Sequence, residues 1–386
     1  MNTNYELVVF SDDWNGLPCS CRHLVKHFLP DIPVIWVDTI GLRSPQLSFY
    51  DARRSIQKIL SWLSSPHLDT LTETQSNLRI INPFQIPYNH YYIVRAFNAY
   101  WLARAVNRLS HNPSAMKRVV LTTWPFLGDI FGGALKEDLS IYYRVDDFSE
   151  FPGVRRNHIQ KLEGEIIRKA DIVIGTADKL SEVSQYGKIG HYLPHGVDFE
   201  HFSSSQTTET ARLRMGAIPA PRIGFFGLLN TWIDLALIRK VASDHKDWSF
   251  ILIGPSQIPQ SAIPSLPNLH IIGPIPYADL PSYARYFQVG LIPFEVSPLT
   301  TVVNPLKLLE YFAMGIPVVS TPLPEVTKHN DLVYIAGTPD EFASAIDKAL
   351  QENSSQLRQS RLDLAMKHSW VSKSQELKSW IEQAMK

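Results

Sequence analysis

Short apolar runs rich in β-branched and aromatic residues alternate along this chain with longer segments whose apolar positions recur every three or four residues. The short runs predict strands at 6–10, 34–37, 78–81, 119–122, 141–145, 172–174 and 189–192, then at 222–226, 249–253, 269–271, 289–292 and 318–319. The periodic segments predict helices at 20–28, 52–62, 91–109 and 158–169, then at 233–243, 280–287, 305–314, 341–351 and 356–368. Regular strand–helix alternation implies an α/β protein with parallel sheets and crossover helices. Trp370, Leu377, Trp380 and Ile381 follow at helical spacing near the end.

At 386 residues the chain exceeds one ordinary core and suits two domains. A polar stretch after Phe202, Ser-Ser-Ser-Gln-Thr-Thr-Glu-Thr, reads as linker or exposed loop and sets the expected boundary. The expected division is 1–200, 201–368 and a terminal helix at 369–386, which either completes the second domain or docks on the first. Lys+Arg and Asp+Glu balance at 37 each, so no global field recruits nucleic acid. No apolar run reaches membrane-spanning length, the start lacks a signal-peptide pattern, and two cysteines make no disulfide framework. A cytoplasmic location is expected. Cys19, Cys21, His23 and His27 crowd into nine residues at a helix start, too close together to form a ready zinc site, so no metal is expected.

The most informative segment is 304–322, NPLKLLEYFAMGIPVVSTP. Asn304 suits an N-cap and Pro305 the first helical position. The free amides of Leu306 and Lys307, at the positive end of the helix dipole, would face an anion. Lys307 and Glu310 share a face, while Leu308, Leu309, Phe312 and Ala313 suit burial. Gly315 and Pro317 end the helix before a short strand. Phosphates at the mouth and ribose hydroxyls on the carboxylate would fit this layout.

These residues resemble the donor-nucleotide helix of GT-B glycosyltransferases, particularly family four and related bacterial exopolysaccharide and teichuronic-acid-type enzymes. Further similarities lie at 193–202 (LPHGVDFEHF, with His195 where the interdomain connector usually has Asn), 222–234, 248–255, 270–283, 289–294 and 142–153. The resemblance covers most of the second half and is patchier in the first. It implies two Rossmann-like domains with parallel sheets facing across a cleft, the first binding acceptor and the second binding nucleotide-sugar. It further implies a diphosphate at Lys307, ribose at Glu310, and donor contacts from Gly227, Thr300, Thr301, Asn304, Pro305 and Leu306. Two features depart from the family. The stretch 228–234 carries no Arg or Lys, and Val302 stands eight residues before Glu310 where many members have Glu. The family's retaining outcome therefore does not simply carry over, and an inverting reaction with a carboxylate base is equally open.

The resemblance implies transfer of sugar from a nucleotide-diphosphate donor to a glycan or polyprenyl-diphosphate-linked acceptor, in cell-surface polysaccharide biosynthesis. The leaving diphosphate can be neutralised by a carboxylate-held metal or by helix amides with a cation. No Asp-x-Asp motif occurs, so the second route is expected, with no cofactor beyond the donor itself. Asp146, at a strand end, is the first candidate for a general base, with Asp147, Asp13 and Asp12 in reserve. Trp14 is a candidate for sugar stacking. From Tyr88 to Arg118 there is no acidic residue, and Arg95, Arg104, Arg108, Lys117 and Arg118 mix with Tyr91, Tyr92, Phe97, Tyr100 and Trp101. The stretch 52–68 repeats the pattern. Both suit an anionic membrane surface, equally with a reading in which the aromatics are core. The absence of G-x-G-x-x-G argues against an oxidoreductase. A GT-B epimerase and a non-catalytic binding module remain as alternatives.

Overall fold

The computed structural model describes residues 5–16, 18–41, 77–109, 116–204 and 206–386. The helix expected at 52–62, with Arg53, Arg54, Lys58, Trp62 and Leu63, lies outside the described residues. The chain divides into two units, Met1–Pro194 with Ser374–Lys386, and His195–Lys373.

Among the described residues the first unit holds one seven-stranded sheet. Its strands are β1 (Tyr5–Ser11), β2 (Val34–Asp38), β3 (Leu78–Ile81), β4 (Lys117–Thr122), β5 (Leu139–Arg144), β6 (Ile172–Gly175) and β7 (Gly190–Tyr192). They lie in the order β3-β2-β1-β4-β5-β6-β7, and every pairing is parallel. Strands β1, β2 and β5 are buried along their whole length, as expected of a sheet covered on both faces. Such a strand tolerates charge only when it is paired. Glu6 on β1 lies in register with Arg118 on β4 and binds its guanidinium at 2.7 Å. Arg144 and Tyr142 of β5 likewise share Glu163.

The second unit repeats the plan. Its strands are β8 (Arg222–Phe226), β9 (Ser249–Ile253), β10 (Leu269–Gly273), β11 (Val289–Ile292), β12 (Val318–Ser320) and β13 (Val333–Ile335), ordered β10-β9-β8-β11-β12-β13. All these pairings are parallel too. The three-residue edge strand β13 was not expected from the pattern, being too short to show periodicity. In both sheets the order reverses beside the first strand, between β1 and β4 and between β8 and β11. Crevices at the carboxyl ends of strands on either side of such a reversal are where open α/β sheets bind ligands.

The boundary differs from the expected 200/201. The Phe199–Ser203 helix belongs to the second unit because Phe202 is fully buried in that core, stacked on Phe226 at 6.1 Å. The polar stretch beyond it is internal to the unit, ending where Thr208 caps the Glu209–Gly216 helix. The last helix, Trp370–Ala384, leaves the second unit at Lys373 and continues with the first. There Leu377 and Ile381 are buried, Lys378 donates to the His27 carbonyl at 2.9 Å, and Trp380 packs on His191 at 4.7 Å.

Candidate functional site

In the second unit three elements meet around Lys307. β8 is followed directly by Gly227, whose φ of +145° lies where only glycine is comfortable. A Cβ at Gly227 would stand 2.8 Å from Lys307 Cε and 3.5 Å from its Nζ. The missing side chain is thus what admits the lysine to the end of β8. The helix carrying Lys307 is Leu306–Ala313, with Leu308, Leu309, Tyr311, Phe312 and Ala313 buried. It is bolted to the reversal point by the Tyr311 hydroxyl, which donates to the Gly224 carbonyl at 3.1 Å and the Leu291 carbonyl at 3.3 Å. Its ring fills the space left by Gly290.

The helix begins one residue later than expected. Pro305, with extended backbone at φ −74° and ψ 112°, is the N-cap and supplies no side-chain cap. Asn304 is not the cap, because its amide is drawn to Glu325 Oε2 at 3.3 Å. The amides of Leu306 and Lys307 have no intrahelical acceptor at this position. Lys307 Nζ stands 4.0 Å from Glu310 Oε2. Glu310 is 7% exposed, and that oxygen has no hydrogen-bond partner. Burial pushes the Glu310 carboxyl above its ordinary range, while Lys307 and His201 pull it back. A buried carboxylate oxygen without a donor is costly, and ligand hydroxyls are the natural remedy.

Thr300 is spent on its own loop: its hydroxyl donates to the Glu295 carbonyl and accepts from the Ser297 amide. Thr301 donates to the Pro298 carbonyl at 3.1 Å. Both hydroxyls thus donate within their own loop. The cation-free stretch after Gly227 is structural as well, with Asp234 capping the Leu235–Asp244 helix through the Leu237 amide at 2.7 Å.

Sequence reasoning gave no role here to the two histidines of the 195–203 segment. The Phe199–Ser203 helix packs along Leu306–Ala313. His201 bonds the Tyr277 carbonyl at 2.9 Å and stacks on that ring at 4.7 Å. His195 is 7% exposed, and burial plus Lys307 hold its imidazole down to about 3, so it is neutral. The signal in the sequence was the histidine replacing asparagine in the connector.

In the first unit the strands flanking the reversal are followed by Asp12, Asp13 and Trp14 after β1 and Thr123 after β4, and the next strand, β5, is followed by Asp146. Ser11 and Thr123 hydroxyls meet at 3.1 Å across the reversal. Asp146 is half-buried, and its carboxyl is pushed up to about 7, first by burial and then by Asp12 and Asp147. Burial raises Asp12 too. Asp147 has a different task, since its Oδ1 accepts from the Ser149 amide at 3.0 Å and hydroxyl at 2.6 Å. Asp13 accepts from the Asn15 amide in an exposed turn. Trp14 packs edge-on against Trp36 at 4.9 Å, so much of its ring is committed to the fold. Cys21 is buried and its thiol pushed up by that burial. Among the described residues no three His, Cys, Asp or Glu side chains group to hold a metal ion.

The basic stretch divides. Arg95 is withdrawn into an ion pair with Asp129 at 2.9 Å, and Arg118 into its pair with Glu6. Lys117 donates to the Met385 carbonyl at 2.6 Å. Arg104 and Arg108 are exposed on the Tyr92–Leu109 helix. The aromatics are not core: Tyr91, Tyr92, Phe97, Tyr100 and Trp101 are all exposed, Tyr92 at 68%, and the aliphatic Ile93 is exposed beside them. The buried face of the helix is made instead by Ala99, Leu102, Ala103, Ala105 and Val106.

Residues 220–352 match the family of glycosyl transferases group 1. The chain is 30% identical over 241 residues to TuaH of Bacillus subtilis strain 168, named for an inferred role as a teichuronic acid biosynthesis glycosyltransferase. That match spans 59% of this chain and 60% of the relative, less than two thirds of its length. Among solved structures, Alr3699/HepE of Anabaena in complex with UDP and glucose superposes with a TM-score of 0.65 at 12% identity, covering 97% of this chain and 99% of that one. An α,α-trehalose-phosphate synthase (UDP-forming) of Burkholderia xenovorans with glucose-6-phosphate gives 0.68 at 13% identity, over 99% and 100%. The chain has the GT-B fold, and the segment of its second unit from 220 to 352 is similar to glycosyl transferases group 1.

Proposed function

We propose that this GT-B protein transfers a sugar from a nucleoside-diphosphate donor to a glycan or lipid-linked acceptor in cell-surface polysaccharide synthesis. The observation that carries the reading is the Gly227–Lys307–Glu310 cluster, set at the reversal point of the second sheet and inside the segment that matches group 1 glycosyl transferases. The UDP and glucose bound by HepE, and the role for which TuaH is named, support the donor class and the pathway class.

In this reading Lys307 and the Leu306 and Lys307 amides take the charge of the leaving diphosphate, which grows as the sugar–oxygen bond breaks. Glu310 accepts hydrogen bonds from the ribose hydroxyls, relieving its unpartnered oxygen. Gly227 lets the backbone approach the phosphates. Asp146 is the candidate base for the acceptor hydroxyl, since a carboxyl titrating near neutrality can both accept and later release a proton. Asp147 and Asp13 are assigned capping and turn roles instead.

The acceptor is proposed to be presented at an anionic membrane surface, met by the exposed aromatic face of the Tyr92–Leu109 helix with Arg104 and Arg108. No described helix is long and apolar enough to cross a membrane. The test is direct. Purified protein is incubated with UDP-, GDP-, ADP- and dTDP-sugars, with and without a polyprenyl-diphosphate-linked glycan. Nucleotide release that requires the acceptor, with a lengthened glycan, supports transfer. Release or interconversion of the sugar with no acceptor would instead mean hydrolysis or epimerisation, and no turnover would mean a binding module.

A further inference from the structure

We propose that His195 is a donor-binding residue of the second unit, its imidazole hydrogen-bonding an oxygen of the diphosphate docked beside Lys307. The inference rests on the donor site proposed above and adds a residue to it.

Three observations carry it. Among the described residues His195 makes no hydrogen bond through either ring nitrogen, although it is 7% exposed and its Nδ1 is sealed from solvent. The Trp370 ring stands edge-on to it at 6.2 Å, and the positive charge of Lys307 helps hold its imidazole neutral. The segment it opens runs along the Lys307 helix, and the other histidine of that segment is already committed to Tyr277. With Nδ1 sealed and unpaired and Nε2 bonded to no protein group, Nε2 is the ring nitrogen left for a ligand.

Chemistry also selects the atom. Burial and Lys307 keep the ring neutral, so it carries one N–H and one lone pair. An unpaired lone pair in the sealed position is the cheaper orphan, which places the proton on Nε2 as the donor. The group has the right polarity for a phosphate oxygen. It also stands in a protein whose 228–234 stretch carries no Lys or Arg for that oxygen.

The test is isothermal titration of UDP and of inorganic pyrophosphate into wild type, His195→Ala, His195→Phe, His195→Asn and Lys307→Ala. A lost hydrogen bond to a charged group predicts about tenfold weaker binding of both probes to His195→Ala and His195→Phe. His195→Asn, which keeps an N–H donor, should recover most of the loss. A purely structural histidine would lower the unliganded melting temperature without this recovery. Binding to folded His195→Ala within twofold of wild type, or His195→Asn as weak as His195→Phe, overturns the inference. The Lys307→Ala arm separates the two failures. If it weakens UDP while His195→Ala does not, only the histidine's role falls. If it too leaves UDP unchanged, the donor site itself is misplaced and the inference falls with it.

Discussion

Replacing Asp146 by Asn should make the protein more stable and less active at once. The Asp146 carboxyl titrates at about 7 in the folded protein against an ordinary 3.8, because burial and the carboxylates of Asp12 and Asp147 oppose its charge. Three units correspond to a ceiling of about 4 kcal/mol of folding free energy lost to ionising it. Solvent reaches this half-buried group and screens the repulsion, leaving about 1–2 kcal/mol. The sign follows from proton counting. Below pH 3.8 both states hold the proton and the charge costs nothing. Between pH 3.8 and 7 the folded state keeps a proton that the unfolded chain releases, so stability falls as pH rises. Above 7 the penalty is complete and constant. Asp146→Asn removes it, so the gap in melting temperature between variant and wild type should open from pH 4 to 7, reach roughly 2–8 °C, and stay flat beyond. Differential scanning calorimetry at pH 4, 5.5, 7 and 8.5 measures this. On the same protein, turnover should fall by about two to four orders of magnitude with donor affinity nearly intact. A variant less stable than wild type at pH 7, or a gap that ignores pH, would refute the electrostatic reasoning; retained turnover would refute the base.

Lys307→Ala should keep its fold and lose about tenfold or more in nucleoside-diphosphate affinity, read by thermal shift against added nucleotide, since a charge-assisted contact is worth ~1.5–3 kcal/mol. Asp147→Ala should behave as a lost cap, costing about 0.5–2 kcal/mol in urea unfolding with donor affinity unchanged; a stability-neutral variant with no turnover would return the residue to the chemistry. Vesicles containing anionic lipid should co-sediment the protein at low salt, less so at high salt, and less again with Arg104→Glu/Arg108→Glu. No binding to such vesicles at low salt would remove the membrane surface from the account.

Much of this protein was legible before folding. Apolar runs of four to six residues mark most of the strands, because a strand buried on both faces must be apolar nearly throughout. The order of punctuation around Lys307, from Pro305 to Gly315, located the helix within a residue, since capping and stopping are local chemistry. Local chemistry could not say which polar groups would find distant partners. Asn304 looked like a cap and was taken by Glu325, twenty-one residues away. Arg95 and Arg118 looked like surface cations and became halves of ion pairs, part-buried with Asp129 and fully buried with Glu6. Asp146 and Asp147, adjacent in sequence, were parted by the turn, one into a cap and the other into a raised carboxyl near Asp12. The same limit hid His195, whose only mark in the sequence was an unusual residue in a familiar connector. Pattern and propensity act over a few residues and determine elements. Burial, field and hydrogen-bond satisfaction are set by groups that meet only when the sheets form, and these decided which of the candidate residues stayed free for a ligand.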